Sequence, residues 1–342
     1  LPVRSGGSEL QRRAFLAAIA GLFALRPYFS IAEGRRYRIA FANLDETPGV
    51  TIEGLGFTGA DVRRGFELAA RTLPVDMMYF DNAGDPKRAV DNADAAIAAK
   101  VDLLIEYDAD AEANGEIAHR LAAAGIPGLA LVHPLPGAPL YGPDNRMAGY
   151  IAGQALAAFA RETWPGEQVL GVLIGDLSYP GAAVGERVRG ITEGIQESLP
   201  QLKLAPLDTG GQSVRADALL ARFLQTQPGQ KVLIATLDDL AAVYAKNAID
   251  MNRRQSDCVI VSQGLDRNIH GGVSEKKEID PNNRSSVVFG SVAYFMDRYG
   301  YDVLPIALRL LQGGKLPPRT TTKHVLITAA NVFKEYPPFD MN

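Results

Sequence analysis

Cysteine and histidine are scarce in this chain, at one and four residues out of 342. A single thiol excludes an internal disulfide and a thiolate metal cluster. Cys258 lies in the apolar run Cys258-Val259-Ile260-Val261 and reads as a buried strand residue rather than a reactive nucleophile. His119, His133, His270 and His324 show no metal-ligand spacing. An excess of positive charge is also missing. The 35 Lys and Arg against 39 Asp and Glu leave a net charge of −4, and no basic stripe appears, which argues against a nucleic-acid partner. There is no Gly-x-Ser-x-Gly elbow and no Gly-Lys-Ser/Thr phosphate loop, and Gly54-Leu55-Gly56 lacks the third glycine of a dinucleotide fingerprint. Neither catalysis nor a cofactor or metal is expected. No apolar run is long enough to span a bilayer; the run at 14–25 has 12 residues. It follows Arg12-Arg13 and precedes the small residues Ser30 and Ala32, the layout of a twin-arginine or general secretory signal. Residues 1–35 are read as that export signal, or as an N-terminal helix packed on the body.

What is present is alternation. Apolar residues make up 47% and charged residues 22%, a globular balance in a chain long enough for two domains. Strands are expected at 38–44, 75–80, 101–105 and 127–132, with helices between them, one opened by Asp85-Pro86 and one closed by Gly125. Four prolines in 133–143 end this series, because proline supplies no ladder donor. After a helix at 146–162, a second series places strands at 168–174, 202–206, 231–235 and 258–262. The tail adds a strand at 286–289, a helix at 292–312 and a strand at 324–328. Short apolar strands alternating with helices imply parallel sheets covered on both faces, with strand C-termini on one edge. The fold class is α/β: two Rossmann-like lobes joined by a three-crossover hinge, with a cleft between them. The boundaries are 36–144 plus 267–318 for lobe 1 and 145–266 plus 319–342 for lobe 2.

Several local sequences then carry a resemblance. Asp81-Asn82-Ala83-Gly84-Asp85-Pro86 follows the second strand, and Pro143-Asp144-Asn145-Arg146-Met147-Ala148-Gly149 precedes the crossover helix. Further along come Arg187-Val188-Arg189-Gly190-Ile191, Asp238-Asp239-Leu240-Ala241, Gly264-Leu265-Asp266 and Leu326-Ile327-Thr328-Ala329-Ala330-Asn331. In this order and spacing the chain resembles the periplasmic sugar-binding proteins of the type I fold, the ribose-, galactose- and allose-type receptors. The resemblance implies a receptor that closes on a small polar solute, a sugar or polyol foremost, and delivers it to an ABC permease. It also implies a monomer in the periplasm. A receptor that signals to a chemoreceptor or sensor kinase, or one for a cationic solute, would use the same cleft.

The candidate ligand residues follow the strand ends. Asp45, Glu46 and Phe57 lie after the first strand, Glu106 and Asp108 after the third and His133 after the fourth. Tyr179 precedes the helix bearing Arg187, which fits the family's Arg-x-x-Gly position; Asp238 opens a later helix. Asp266 resembles the aspartate that accepts from sugar hydroxyls, and Ser291 is expected near the third crossover. Carboxylates accept from hydroxyls and arginine donates in a fixed fork, so the set suits a hydroxylated ligand. His133-Pro134 stands where relatives carry an Asp-Arg pair, and Leu237 where they carry asparagine.

Overall fold

Two six-stranded sheets organise the chain. The computed structural model describes residues 35–178, 181–271 and 276–337. The apolar run read as an export signal and Tyr179 lie outside these residues. The first sheet holds β1 (Tyr37–Asn43), β2 (Val75–Asp81), β3 (Leu103–Glu106), β4 (Gly128–Leu131), β5 (Leu140–Gly142) and, much later, β11 (Arg319–Thr321). The second holds β6 (Val169–Gly175), β7 (Leu204–Asp208), β8 (Lys231–Thr236), β9 (Cys258–Gly264), β10 (Val288–Ala293) and β12 (Val325–Thr328). Their orders are β11-β5-β4-β3-β1-β2 and β12-β10-β9-β8-β6-β7, the same winding twice. Every pairing is parallel except β10 with β12. The central strands are apolar on both faces because helices cover both: Ile39, Ala40, Phe41 and Ala42 are all buried.

The helices start and stop where their caps say. In α1 (Gly59–Ala70) Thr58 and Asp61 form a capping box. In α2 (Pro86–Ala98) Asp85 caps and Pro86 takes the first position. Then α3 (Ala111–Ala124) ends at Gly125 with φ +68°. The helix α4 (Asn145–Thr163) packs on α5 (Ala182–Gln196) at glycine contact points. A Cβ at Gly149 or Gly190 would overlap the main chain of the facing helix. The remaining helices are α6 (Arg215–Thr226), α7 (Asp239–Met251), α8 (Tyr299–Leu311) and α9 (Val332–Glu335). Among the described residues no helix is long and apolar enough to cross a membrane. Cys258 is buried in β9, and burial pushes its thiol up to about 12.

Three departures from the sequence reading concern the crossovers. The proline loop 133–143 contains β5, which pairs with β4 and β11. Residues 288–293, assigned above to lobe 1, pair with β9 in the second sheet, and 319–321, assigned to lobe 2, join the first. The run Gly290-Ser291-Val292-Ala293 continues its strand because its small residues fit a fully buried ladder position. The following helix starts only at Tyr299, after Phe295 turns the backbone with φ +54° and residues Met296–Arg298 form a 3-10 turn. Packing of α8 on α1 returns this segment to the first lobe.

The chain therefore crosses between lobes at 143–144, 294–298 and 322–324. One side chain touches all three crossings. His324 Nε2 accepts from Asp144 N–H (3.0 Å), and its Nδ1 donates to Ala293 O (3.0 Å). Its ring packs edge-on against Tyr294 at 4.7 Å. Burial holds the imidazole below its ordinary value, outweighing the Ala293 carbonyl, so both bonds are made by the neutral ring. A His324→Ala change takes these bonds from the buried Ala293 carbonyl and the half-buried Asp144 N–H and should cost about 2–4 kcal/mol in chemical denaturation. The wild-type advantage should shrink as pH falls below 6.5, where the unfolded chain takes up the proton first.

Candidate ligand site

The loops that follow the parallel strands meet across the crossovers, as they must when two such sheets face each other by their C-terminal edges. Between them lies a cavity of about 730 Å³. The first lobe contributes Thr51–Gly56 without Ile52 from the loop after β1, and Val132 and His133 after β4. Asn145 comes from the first crossing and Arg319 from β11. The second lobe contributes Asp176 after β6, Glu186 on α5, Thr209 and Ser213 after β7, Asp238 after β8 and Asn268 after β9. Among the described residues that line it, none is Phe, Tyr or Trp.

Glu53 is the side chain best fixed at the wall. It accepts from Tyr107 Oη (2.9 Å) and pairs with His133 Nε2 at 2.8 Å. Burial raises the Glu53 carboxyl, but the bond to His133, the charge of that ring, the Tyr107 hydroxyl and Arg187 together hold it below its ordinary value. For His133, burial acts downward, and the Glu53 bond and the charges of Glu53 and Asp108 outweigh it, so the imidazole sits above its ordinary value. Two non-glycine residues of this wall have left-handed backbones, Glu53 at φ +59° and Val132 at φ +64°. For a β-branched valine this is strained by about 1–3 kcal/mol, and strain of this kind gathers at functional sites.

Beneath the loops lies a network of buried acids. Asp239 is fully buried and accepts from Ser262 Oγ (2.5 Å), Ser291 Oγ (2.7 Å) and Asp266 N–H (2.7 Å). Burial and then the charge of Asp266 push its carboxyl well above the usual range. Asp266 Oδ1 accepts from Asn268 N–H (2.7 Å) and Nδ2 (2.9 Å), and burial raises this carboxyl as well. Asp238 caps α7 through Ala241 N–H (2.7 Å), as its position at a helix start suggests, and also lines the cavity. It too is raised by burial, against the Ala241 bond.

The residues singled out from the sequence thus separate. His133 and Asp238 line the cavity. Arg187 and Asp266 lie in the cleft but under the loop Thr51–Phe57, at 0% and 1% exposure. Phe57 is a core residue, 2% exposed. Asp45 accepts from Thr47 N–H and Glu46 pairs with Arg63 at 3.0 Å; neither reaches the cavity. Glu106 is buried against Asn82 and Asp108 bonds Asp110 N–H, both behind the wall. Burial pushes Glu106 well above the carboxylate range. Ser291 lies within β10 rather than at a crossover and donates to Asp239, because the strand continues through it. Glu53, Asn145, Asp176, Asn268 and Arg319 line the cavity and were not singled out. The one signal for Glu53 was its place before Gly54-Leu55-Gly56 in a long loop.

A family model described as a periplasmic binding protein domain matches residues 50–315. Among curated proteins no relative matches. Solved structures with the same fold include AraP, an arabinose-binding protein from Geobacillus stearothermophilus. It is 16% identical, with TM-score 0.67 over 88% of this chain and 100% of that one. A solute-binding protein from Actinobacillus succinogenes with bound D-allose is 16% identical, with TM-score 0.65 over 86% and 99%. One from Agrobacterium radiobacter in complex with D-arabinose is 19% identical, with TM-score 0.62 over 90% and 98%.

The Glu53–His133 pair gives the site a pH signature. The lowered Glu53 contributes stability above 4.5 that is lost as pH falls through its folded value. The raised His133 contributes below 6.5 and loses that contribution as pH rises through its folded value. Thermal unfolding of a His133→Gln variant should therefore differ most from the parent between these values, by about 2 kcal/mol. The two melting temperatures should converge toward pH 9.

Proposed function

This chain belongs to the periplasmic binding protein domain family, and on that premise we propose that it is an extracytoplasmic solute receptor. It closes two lobes around a small polar solute, a sugar or polyol foremost, and presents that solute to an ABC permease. The observation that carries this reading is the cavity of about 730 Å³ held between the C-terminal edges of two parallel sheets that are joined by three crossovers. A space of that size suits a small molecule, and closure about a hinge explains why it lies between lobes. The solved relatives with D-allose and D-arabinose support a carbohydrate. The wall supports it too. Asn145, Asn268, Ser213 and Arg319 carry donor groups, while Glu53, Asp176 and Asp238 carry acceptors, the mixture that hydroxyl groups need. Among the described lining residues none is Phe, Tyr or Trp, and the hydrogen-bonding groups named here are the ones offered to a solute.

A cationic solute is the second reading, and one observation favours it. Among the described lining residues Glu53, Asp176, Glu186 and Asp238 face Arg319 and His133, and Asp176 Oδ1 is buried without a hydrogen-bond partner. The receptor acts in the periplasm as a monomer, with residues 1–35 as its export signal, of twin-arginine or general secretory type.

A thermal-shift screen of refolded protein against sugars, polyols, sugar acids and amines tests the proposal. One chemical class at about 100 times its dissociation constant should stabilise the fold by about 3 kcal/mol, a rise of several degrees. An Asp176→Asn variant should bind about tenfold more weakly, measured by titration calorimetry. If no class shifts the melting temperature, the receptor reading fails.

A further inference from the structure

The loop after β1 reaches across the cleft. Leu55 N–H donates to Ile52 O (3.1 Å) and Ile52 N–H donates to Phe57 O (2.9 Å), so Ile52–Leu55 is a tight turn. Both central residues have positive φ, Glu53 at +59° and Gly54 at +62°, as in the primed turns. Ile52, Leu55 and Phe57 are buried in the first lobe, and the Glu53 carboxylate is tied back to Tyr107 and His133 of that lobe. What the turn offers outward is its main chain. Glu53 O and Gly54 O both accept from the Arg187 guanidinium of the second lobe. Next to them Gly56 lies against Asp266, where a Cβ would overlap Oδ2.

Arg187 has no exposed surface. Its other bonds run to Asn145 Oδ1 (3.0 Å) and Leu237 O (3.3 Å). The fork expected to hold solute is thus filled by the protein's own carbonyls, while the cavity persists beside it with Glu53, Gly54 and Gly56 in its wall. From this geometry we infer that Thr51–Phe57 is a latch between the lobes and Arg187 its receiver, so that the receptor closes without solute. This deepens the receptor reading and rests on it for the consequence in binding. Because the latch and the cavity coexist, the latch pre-organises the closed form. Solute binding gains affinity from a closed population that already exists, and access to the cavity is slowed.

Lobe separation tests the inference with or without a known solute. Spin labels at Tyr301→Cys on α8 and Met251→Cys at the end of α7 use exposed positions of opposite lobes. Solute-free wild type should give a single short distance. Gly56→Ala, which drives the turn off Asp266, should give a longer, broader one, and Tyr107→Phe, which removes only the hydroxyl that fixes Glu53, an intermediate distribution. For the solute found by screening, Gly56→Ala should raise Kd about tenfold, as follows when closed protein falls to about a tenth of the population, and its association rate should increase. Equal distances in wild type and both variants would overturn the latch. So would a lower Kd in Gly56→Ala, which would mean that the turn competes with solute. A screen without any response would sink the receptor reading alone, since the distance comparison still decides the latch.

Discussion

The fully buried guanidinium of Arg187 is the constraint on which the rest of the cleft depends. An arginine cannot shed its charge, so burial must be matched by acceptors. Its oxygens come from the start of α4, from the loop after β8 and from the turn after β1. Tyr294 of the second crossing places its ring 5.4 Å from the guanidinium carbon and its hydroxyl on Asn145 Oδ1 (3.1 Å) and Gln263 (3.0 Å). Both lobes and two crossings therefore converge on one cation. Breaking a buried, hydrogen-bonded charge network of this kind is commonly worth about 3–5 kcal/mol. The pair Arg267–Asp61 also joins the lobes at 2.5 Å, but its arginine is open to solvent, which screens it to about 1 kcal/mol or less. Closure is governed by the first interaction.

The second lobe carries the opposite difficulty, three aspartates close together beneath the cavity. Asp238 and Asp239 open α7, where the helix end presents N–H groups and a partial positive charge. Asp239 is further met by two serine hydroxyls and a main-chain N–H, and Asp266 by both nitrogens of Asn268. Burial still raises all of these carboxyls, and the charge of Asp266 raises Asp239 further. The floor is thus built from acids whose bonds are mostly internal, which leaves Asp238 as the one among them that faces the cavity.

The alternation of strands and helices was legible because buried parallel strands are continuous apolar runs and because caps are local. Asp85 and Gly125 each act where the sequence placed them. The second and third crossovers were not legible. Residues 288–293 and 319–321 are short or rich in small residues, and only their pairing partners decide the sheet to which they belong. The same limit applied to the site. Position after a strand identified His133 and Asp238, but periodicity cannot tell which face of a 15-residue loop enters a cleft. Glu53 therefore passed unnoticed, while Asp45 and Glu46 in the same loop bond locally. Arg187 was found from its Arg-x-x-Gly setting, yet nothing in that setting indicates that main-chain oxygens fill its fork.

The hinge and the latch divide the energetics of closure between them. The bonds of His324 run to Asp144 in the first crossing and to Ala293, the last residue of β10 before the second, so a rotation of the lobes can leave them intact. The flexible points are then the few residues at 143–144, 294–298 and 322–324, among which Phe295 already has a left-handed backbone. A hinge that keeps its own hydrogen bonds in both positions favours neither. The choice between open and closed falls to groups that touch when the lobes meet, foremost the Glu53 and Gly54 carbonyls, the Arg187 fork, and Gly56 against Asp266. A solute in the adjoining cavity adds its differential contacts to this set, and can shift the equilibrium only by that difference.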